Sequence, residues 1–341
     1  MSAATGVRPA ADPDGTGDRP RRLSANAGLG DRAFLLGARS SGALVLLIML
    51  AVGGFLTIRA TQALRVAGWS FLTVQQWNPG GHRGQFGIAA VLVGTLLIGA
   101  LAVLIAVPLA LGTALYISEY ATARVKRTMI TLVDLMAAVP SVVYGLWGFF
   151  FLEHRMTGLA RWISTWFGWI PLFKVDGADP HDPLAPIPAY TSSTFIAGTV
   201  VALMITPIMC SVMREVFGQA PVGEREAAYA LGSTRWGMIR SVVLPYGRGG
   251  IIGGTMLGLG RALGETITIY MIISMVFAIQ PHILQSGTST VAALIALHFG
   301  DSSPFGLSAL MAAGLVLFLM TLAVNFAASA VVARSRSGAS T

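Results

Sequence analysis

Arg261 and Glu265 stand four residues apart in GLGRALGETITIYMI, residues 258 to 272, a stretch with no other charge. Uncharged residues flank them from Gly249 to Ile279. Residues i and i+4 share a helix face, so the pair is expected to lie together if this run is one helix. Arg261 lies about 18 Å along such a helix from Gly249, at ~1.5 Å per residue. If the run crosses a bilayer, both groups are far from water. An ionisable residue there is costly and marks a pathway by default. Two roles are open at this point. Glu265 neutralises Arg261 and the pair locks the helix to its neighbours, or the guanidinium offers a site for an anion in transit.

Other chemistry finds little support. The only lysines are Lys126 and Lys174, and no GxxxxGK[ST] occurs, so the chain carries no Walker A loop of its own. His82, His154, His181, His282 and His298 show no ligand spacing. GLGRALG has the wrong spacing for a dinucleotide fingerprint, and no GxSxG elbow appears. The single cysteine, Cys210, excludes an internal disulfide or a multi-cysteine metal site, and it sits in an apolar run where a thiol packs as a small hydrophobe. No catalytic or metal-ligating residues are assigned. A membrane enzyme working alone would have to rely on Asp134 and Glu265.

The elements that position Arg261 are expected to be membrane helices. Of 341 residues, 54% are hydrophobic and 11% charged, with mean hydropathy +0.70. Soluble domains carry about a quarter charged residues. Net charge is +8, which in a soluble protein suggests nucleic acid, but the basic residues lie between hydrophobic runs and report topology instead. Residues 1–40, rich in Pro, Gly, Asp and Arg, read as a disordered cytoplasmic tail without a cleavable signal. A spanning helix needs about 20 apolar residues. The spans are expected near 41–58, 87–117, 129–152, 195–213, 249–279 and 307–332, within a permease domain covering 41–335 and followed by a short cytoplasmic tail, 336–341. Pro108 is expected to kink the second, or that run continues past the membrane face. Basic residues are concentrated before the first span, in Arg124–Arg127, and in the loop from Arg214 to Arg248, which places both termini in the cytoplasm. On the other side, Trp162, Trp166 and Trp169 fall at helical spacing and suit a helix at the headgroup level. Gly250, Gly254 and Gly258 form a ladder that lets a helix approach another closely, either within the chain or in a second permease subunit. Asp134, near the inner face, reads as structural or gate-associated, and Pro140 and Gly145 can break the third span.

The inner loop EREAAYALGSTRWGMIRSVVLP, residues 224 to 245, reads as two short helices. Glu226, Ala227 and Ala228 open the first and Gly232 ends it. Ser233 or Thr234 caps the second, and Pro245 is expected to stop it. Ala227, Ala228 and Leu231 offer small apolar surfaces for a groove on a partner. The spacing of Glu226, Gly232, Leu244 and Pro245 resembles the EAA loop of ABC importer permeases, the coupling element that docks on the ATP-binding subunit.

AAVPSVVYGLWGFFFL (137–152), RALGET (261–266) and the run FGIAAVLVGTLLIGALAVLIAVPLALGTALYISEYA are similar to the C-type permease subunits of phosphate-specific importers, over roughly residues 78 to 335. Those subunits commonly continue GET with Met-Ala-Val, where this chain has Ile267, Thr268 and Ile269, and carry Glu at the position of Asp134. The resemblance implies an all-α, six-span permease of the type I ABC importer fold in the bacterial cell membrane, moving inorganic phosphate inward by ATP-driven alternating access. Molybdate or sulfate is the alternative cargo, and a passive anion channel is a rival of another class. It implies a homologous second permease (PstA-like), two ATP-binding subunits (PstB-like) carrying the ATP and Mg, and an extracytoplasmic phosphate-binding protein (PstS-like), with lipid around the helices and no nucleic acid. Arg261 and Glu265 become the substrate path, with Arg261 gripping phosphate oxygens bidentately and returning to Glu265 on release.

Overall fold

A computed structural model describes residues 29–80, 85–179, 182 and 186–337. The expected tail up to residue 28, the last four residues of the C-terminal tail, and His82, Arg83 and His181 lie outside the described residues. Every regular element among the described residues is helical, and extended pairing is limited to isolated bridges such as Ser193 with Ser286. Residues 29–52 are one helical segment, and the part from Gly53 holds all other described elements and the core.

The first helix, α1, runs Leu29–Ala67, so residues 29–40 of the expected tail are helical. α2 is Ala89–Leu115 and continues into a wide turn at Tyr116–Tyr120. Pro108 lies inside α2 without ending it. α3 (Ala123–Ala138) and α4 (Ser141–Trp147) are the halves of the expected third span, and α5 (Glu153–Phe167) follows α4 through a wide turn. The chain bends by 91° between α3 and α4, because Val139 and Pro140 are extended and Pro140 has no N–H to continue the ladder. Trp162, Trp166 and Trp169 all stand exposed on and just after α5. α6 is Thr194–Gly218, α7 Val222–Ala230, α8 Arg235–Met238, α9 Leu244–Leu263, α10 Ile267–Ile272, α11 Val291–His298 and α12 Pro304–Ser337.

Among the described residues, four helices are long and apolar enough to cross a membrane, or five if the bent α3–α5 pair counts as one. The six expected spans are thus not all matched by such helices. The difference is the fifth run, 249–279, which is not one helix. It holds the 20-residue α9 and the 6-residue α10, after which the chain extends from Ile273. That extended return is tied to the start of α6 and the loop before it, by Phe195 N–H to the Ile283 carbonyl at 2.9 Å and Ser286 N–H to that of Ala189 at 2.8 Å. The sequence reading assigns nothing to residues 280–306, yet Thr290 caps the buried apolar helix α11 there, accepting from Ala293 N–H at 3.2 Å.

The main core lies where α6 meets α2 and α9. Ala102, Ala106, Ala110 and Ala114 of α2 are fully buried at one-turn spacing. On α9 the expected glycine ladder faces α6 of the same chain. A Cβ at Gly250 would stand 2.6 Å from Val216, and one at Gly258 would stand 2.5 Å from Met209 Sδ. Such surfaces replace side-chain bulk with backbone contact, the usual basis of helix association in lipid.

This geometry predicts opposite outcomes for two like substitutions. Gly250→Ala overpacks the α6–α9 seam and should destabilise by about 1–3 kcal/mol. Gly112→Ala on α2 meets nothing within 4 Å and should be neutral or stabilise by up to ~1 kcal/mol. Thermal unfolding of the purified protein in detergent measures both, and equal shifts would contradict the seam.

Candidate functional site

Arg261 lies in the last turn of α9, where the helix dipole favours a cation. Glu265 is not on that helix. In a continuous helix Thr268 N–H would bond the Gly264 carbonyl. Here the Glu265 carboxylate takes the Thr268 N–H at 3.0 Å, and the Thr266 hydroxyl donates to the Gly264 carbonyl at 3.3 Å. Both partners of one helix bond are diverted to local side chains, the competition that makes such residues cap-formers. The expected i, i+4 pair is thus corrected: Arg261 and Glu265 share no helix face and form no ion pair. Glu265 is buried as the cap of α10, whereas Arg261 is exposed.

Arg261 faces a cleft of about 520 Å³ lined by Ile208 of α6, Gly253, Met256, Leu257 and Gly260 of α9, and Asn325 and Ser329 of α12. Asn325 and Ser329 are polar residues on a long apolar helix, a signal the sequence held and the motif search passed over. Tyr144 of α4 lies close enough to interact electrostatically with Arg261. Behind the cleft, the two breaks meet: the Thr268 hydroxyl donates to the Ser141 carbonyl at 3.0 Å, and a Cβ on Gly145 would stand 3.1 Å from Thr268 Cα. The arrangement presents one cation in the lining of a largely apolar cleft, suited to an anion with several oxygens.

The second part of the site is the loop. α7 and α8 form the expected helix–turn–helix, and Gly232 between them has φ +82°, a conformation that L side chains rarely adopt. Thr234 caps α8 by accepting from Gly237 N–H at 3.1 Å. Glu226, Ala227 and Leu231 are exposed, Leu231 at 88%. Ala228 departs from expectation: it turns inward and is buried, so it belongs to the loop's own base and not to the outer face. Pro245 departs too. It does not stop the helix but sits in the first turn of α9, after a wide turn at Ile239–Val243 that frees its missing N–H from the ladder. Leu244 packs against the main core. The loop is held by an ion pair that sequence spacing could not show, Arg225 to Glu119 at 3.0 Å.

Asp134 is exposed and accepts from the Ser211 hydroxyl at 3.4 Å, tying α3 to α6. His282 pairs with Asp176 at 3.3 Å, well away from the cleft residues in sequence. The Asp176 carboxyl is held below its ordinary range, first by its hydrogen bond with Lys174 and also by His282.

The chain's residues 106–337 match the family described as binding-protein-dependent transport system inner membrane component. The chain belongs to that family of ABC importer permeases, and within it to the PstC branch. It is 38% identical over 304 residues to the phosphate transport system permease protein PstC 2 of Mycobacterium bovis and Mycobacterium tuberculosis, covering 89% of this chain and 91% of the relative. It is 39% identical over 287 residues to PstC of Pasteurella multocida, covering 82% of this chain and 84% of the relative. Its fold is similar to a bacterial alginate ABC transporter solved in complex with an alginate pentasaccharide-bound periplasmic protein, with TM-score 0.56 at 16% identity over 87% of this chain and 93% of that one.

The separation of the two charges is testable. In a cycle of Arg261→Gln, Glu265→Gln and the double variant, the interaction energy should stay within about 0.5 kcal/mol, as for independent sites. Glu265→Ala should cost about 1 kcal/mol more than Glu265→Gln, whose amide oxygen can still accept from Thr268 N–H. Urea unfolding in micelles reads both, and a larger coupling would restore the ion pair.

Proposed function

We propose that this chain is the permease subunit of a binding-protein-dependent importer that carries inorganic phosphate into the cell by ATP-driven alternating access. The observation that carries this reading is the unpaired Arg261 guanidinium, presented to the cleft between α6, α9 and α12, in a chain whose relatives are named phosphate transport permeases. A guanidinium binds phosphate oxygens bidentately. One cation in an open cleft binds without the many contacts that would trap the ion, as conduction requires. Asn325 offers an amide beside it. Glu265 serves the path indirectly, by ending α9 so that Arg261 lies at a helix terminus.

In this reading a homologous PstA-like permease packs against the cleft face. Two PstB-like subunits hold ATP and Mg, hydrolyse the ATP, and receive Glu226, Ala227 and Leu231 in a groove. A PstS-like protein delivers phosphate from outside. Gly232 sets the turn, while Ala228, Leu244 and Pro245 form the base of the loop. The termini are cytoplasmic, consistent with the distribution of Lys and Arg. The alternative cargo is molybdate or sulfate, which the same guanidinium would bind.

The test is uptake of labelled phosphate by cells lacking their own system and given the whole transporter. Losing charge-assisted hydrogen bonds, at about 1.5–3 kcal/mol each, Arg261→Gln should lower uptake roughly ten- to hundredfold. Arg261→Lys should retain an intermediate rate, since it keeps the charge and loses the fork. Excess sulfate or molybdate should leave uptake unchanged. Full uptake by Arg261→Gln would remove Arg261 from the path, and competition by either anion would reassign the cargo.

A further inference from the structure

The loop is joined covalently to α6 and α9, but not to α2. The wide turn closing α2 nevertheless carries Glu119, and Glu119 meets Arg225 of α7 at 3.0 Å, their side chains only 4% and 20% exposed. The Ser118 hydroxyl donates to the other Glu119 oxygen at 2.7 Å. The second Arg225 amino group donates to the Phe217 carbonyl of α6 at 2.6 Å. One guanidinium therefore clamps α7 to the inner ends of both α6 and α2. Arg235 of α8 adds a cation–π contact, 5.2 Å over the Tyr120 ring.

At its other end α2 holds a second junction. The Thr95 hydroxyl accepts from Val291 N–H, the first residue of α11, at 3.0 Å. A Cβ on Gly94 would stand 2.0 Å from the Ser289 carbonyl oxygen. Thr95 and Glu119 are about 36 Å apart along the helix, at ~1.5 Å per residue.

We infer that the Glu119–Arg225 pair is the tie that makes α2 move with the loop, so that displacement of α7 reaches the segment before α11. This rests on the permease reading above. As a stability device the pair is poor. A buried ion pair gains little over an apolar pair of like size, and Arg225 Nε is buried with no partner. What a two-point clamp does supply is direction: α7 cannot shift relative to α2 while both bonds hold. Both residues are positioning residues, acting through helices and not on the cargo.

The experiment uses the whole transporter in vesicles with the double variant Glu119→Gln, Arg225→Met, which removes both charges and so avoids stranding one of them. We expect its subunits to co-purify as before and ATP hydrolysis to continue. Phosphate accumulated per ATP hydrolysed should fall about fivefold or more, the low end of a coupling between sites. A second readout is independent of the cargo. Spin labels at Glu224→Cys and Leu104→Cys should keep their separation within about 2 Å on nucleotide binding with the tie present, and change it by more with the tie removed. An unchanged ratio, or label distances alike with and without the tie, would overturn the inference. If the intact transporter accumulates no phosphate while its label distances behave as expected, the cargo assignment fails and the tie stands.

Discussion

The close approach of α6 to α2 on one side and α9 on the other is the constraint from which the rest follows. It depends on what is missing. Four alanines of α2 and three glycines of α9 offer almost no side-chain bulk along their seams, so backbone and the larger side chains of α6 interlock. In lipid no hydrophobic gradient drives helices together, and dispersion across such seams carries the association. Using the Gly250, Gly254 and Gly258 face for α6 also decides what α9 shows elsewhere. Gly253, Leu257 and Arg261 line the open cleft.

The second constraint is the accounting of backbone hydrogen bonds. A helix can stop among other membrane helices only if the freed groups find partners in protein. At the end of α9 they do, because Glu265 and Thr266 each take one half of the interrupted bond. The chain breaks again at Val139 and Pro140, and there the Tyr144 hydroxyl reaches the Met136 carbonyl at 3.0 Å while Thr268 reaches that of Ser141. Each interruption is thus satisfied mainly by its own neighbours, and the Thr268–Ser141 bond joins the two. The end of α9 also explains why the apolar run 249–279 is not one continuous helix.

Much of this was legible in the sequence. Apolar runs located α2, α6 and α12 within about five residues, α1 extends well beyond the expected 41–58 at both ends, and Gly232 marked the loop turn through its need for positive φ. The charge pair was misread for a specific reason. Spacing of four implies a shared face only on an unbroken helix, and the carboxylate four residues on was itself the group that broke it. α11 escaped because eight apolar residues are too few to cross and too many for a turn. Glu119 and Arg225 lie 106 residues apart, so only the fold can show that they meet. The inward turn of Ala228 follows from the same clamp, which fixes the rotation of α7.

The charges deep in the chain then sort by what satisfies them. Arg225 and Glu119 pair with each other. Glu265 is satisfied by a backbone N–H, and Glu153 likewise accepts from Ser192 N–H at 3.0 Å, a residue held at φ 49°. Glu265 and Glu153 are buried and the Arg225–Glu119 pair largely so; each charge has at least one partner, though Glu153 Oε2 and Arg225 Nε have none, and a buried charge with no partner at all would be costly. Arg261 alone of this set is neither buried nor paired. It is kept at the end of a helix whose dipole supports its charge, above a cleft that leaves its donors open. The contrast in surroundings is what sets Arg261 apart from the other charges of this set, and it is the physical basis of the proposal that the guanidinium meets an anion.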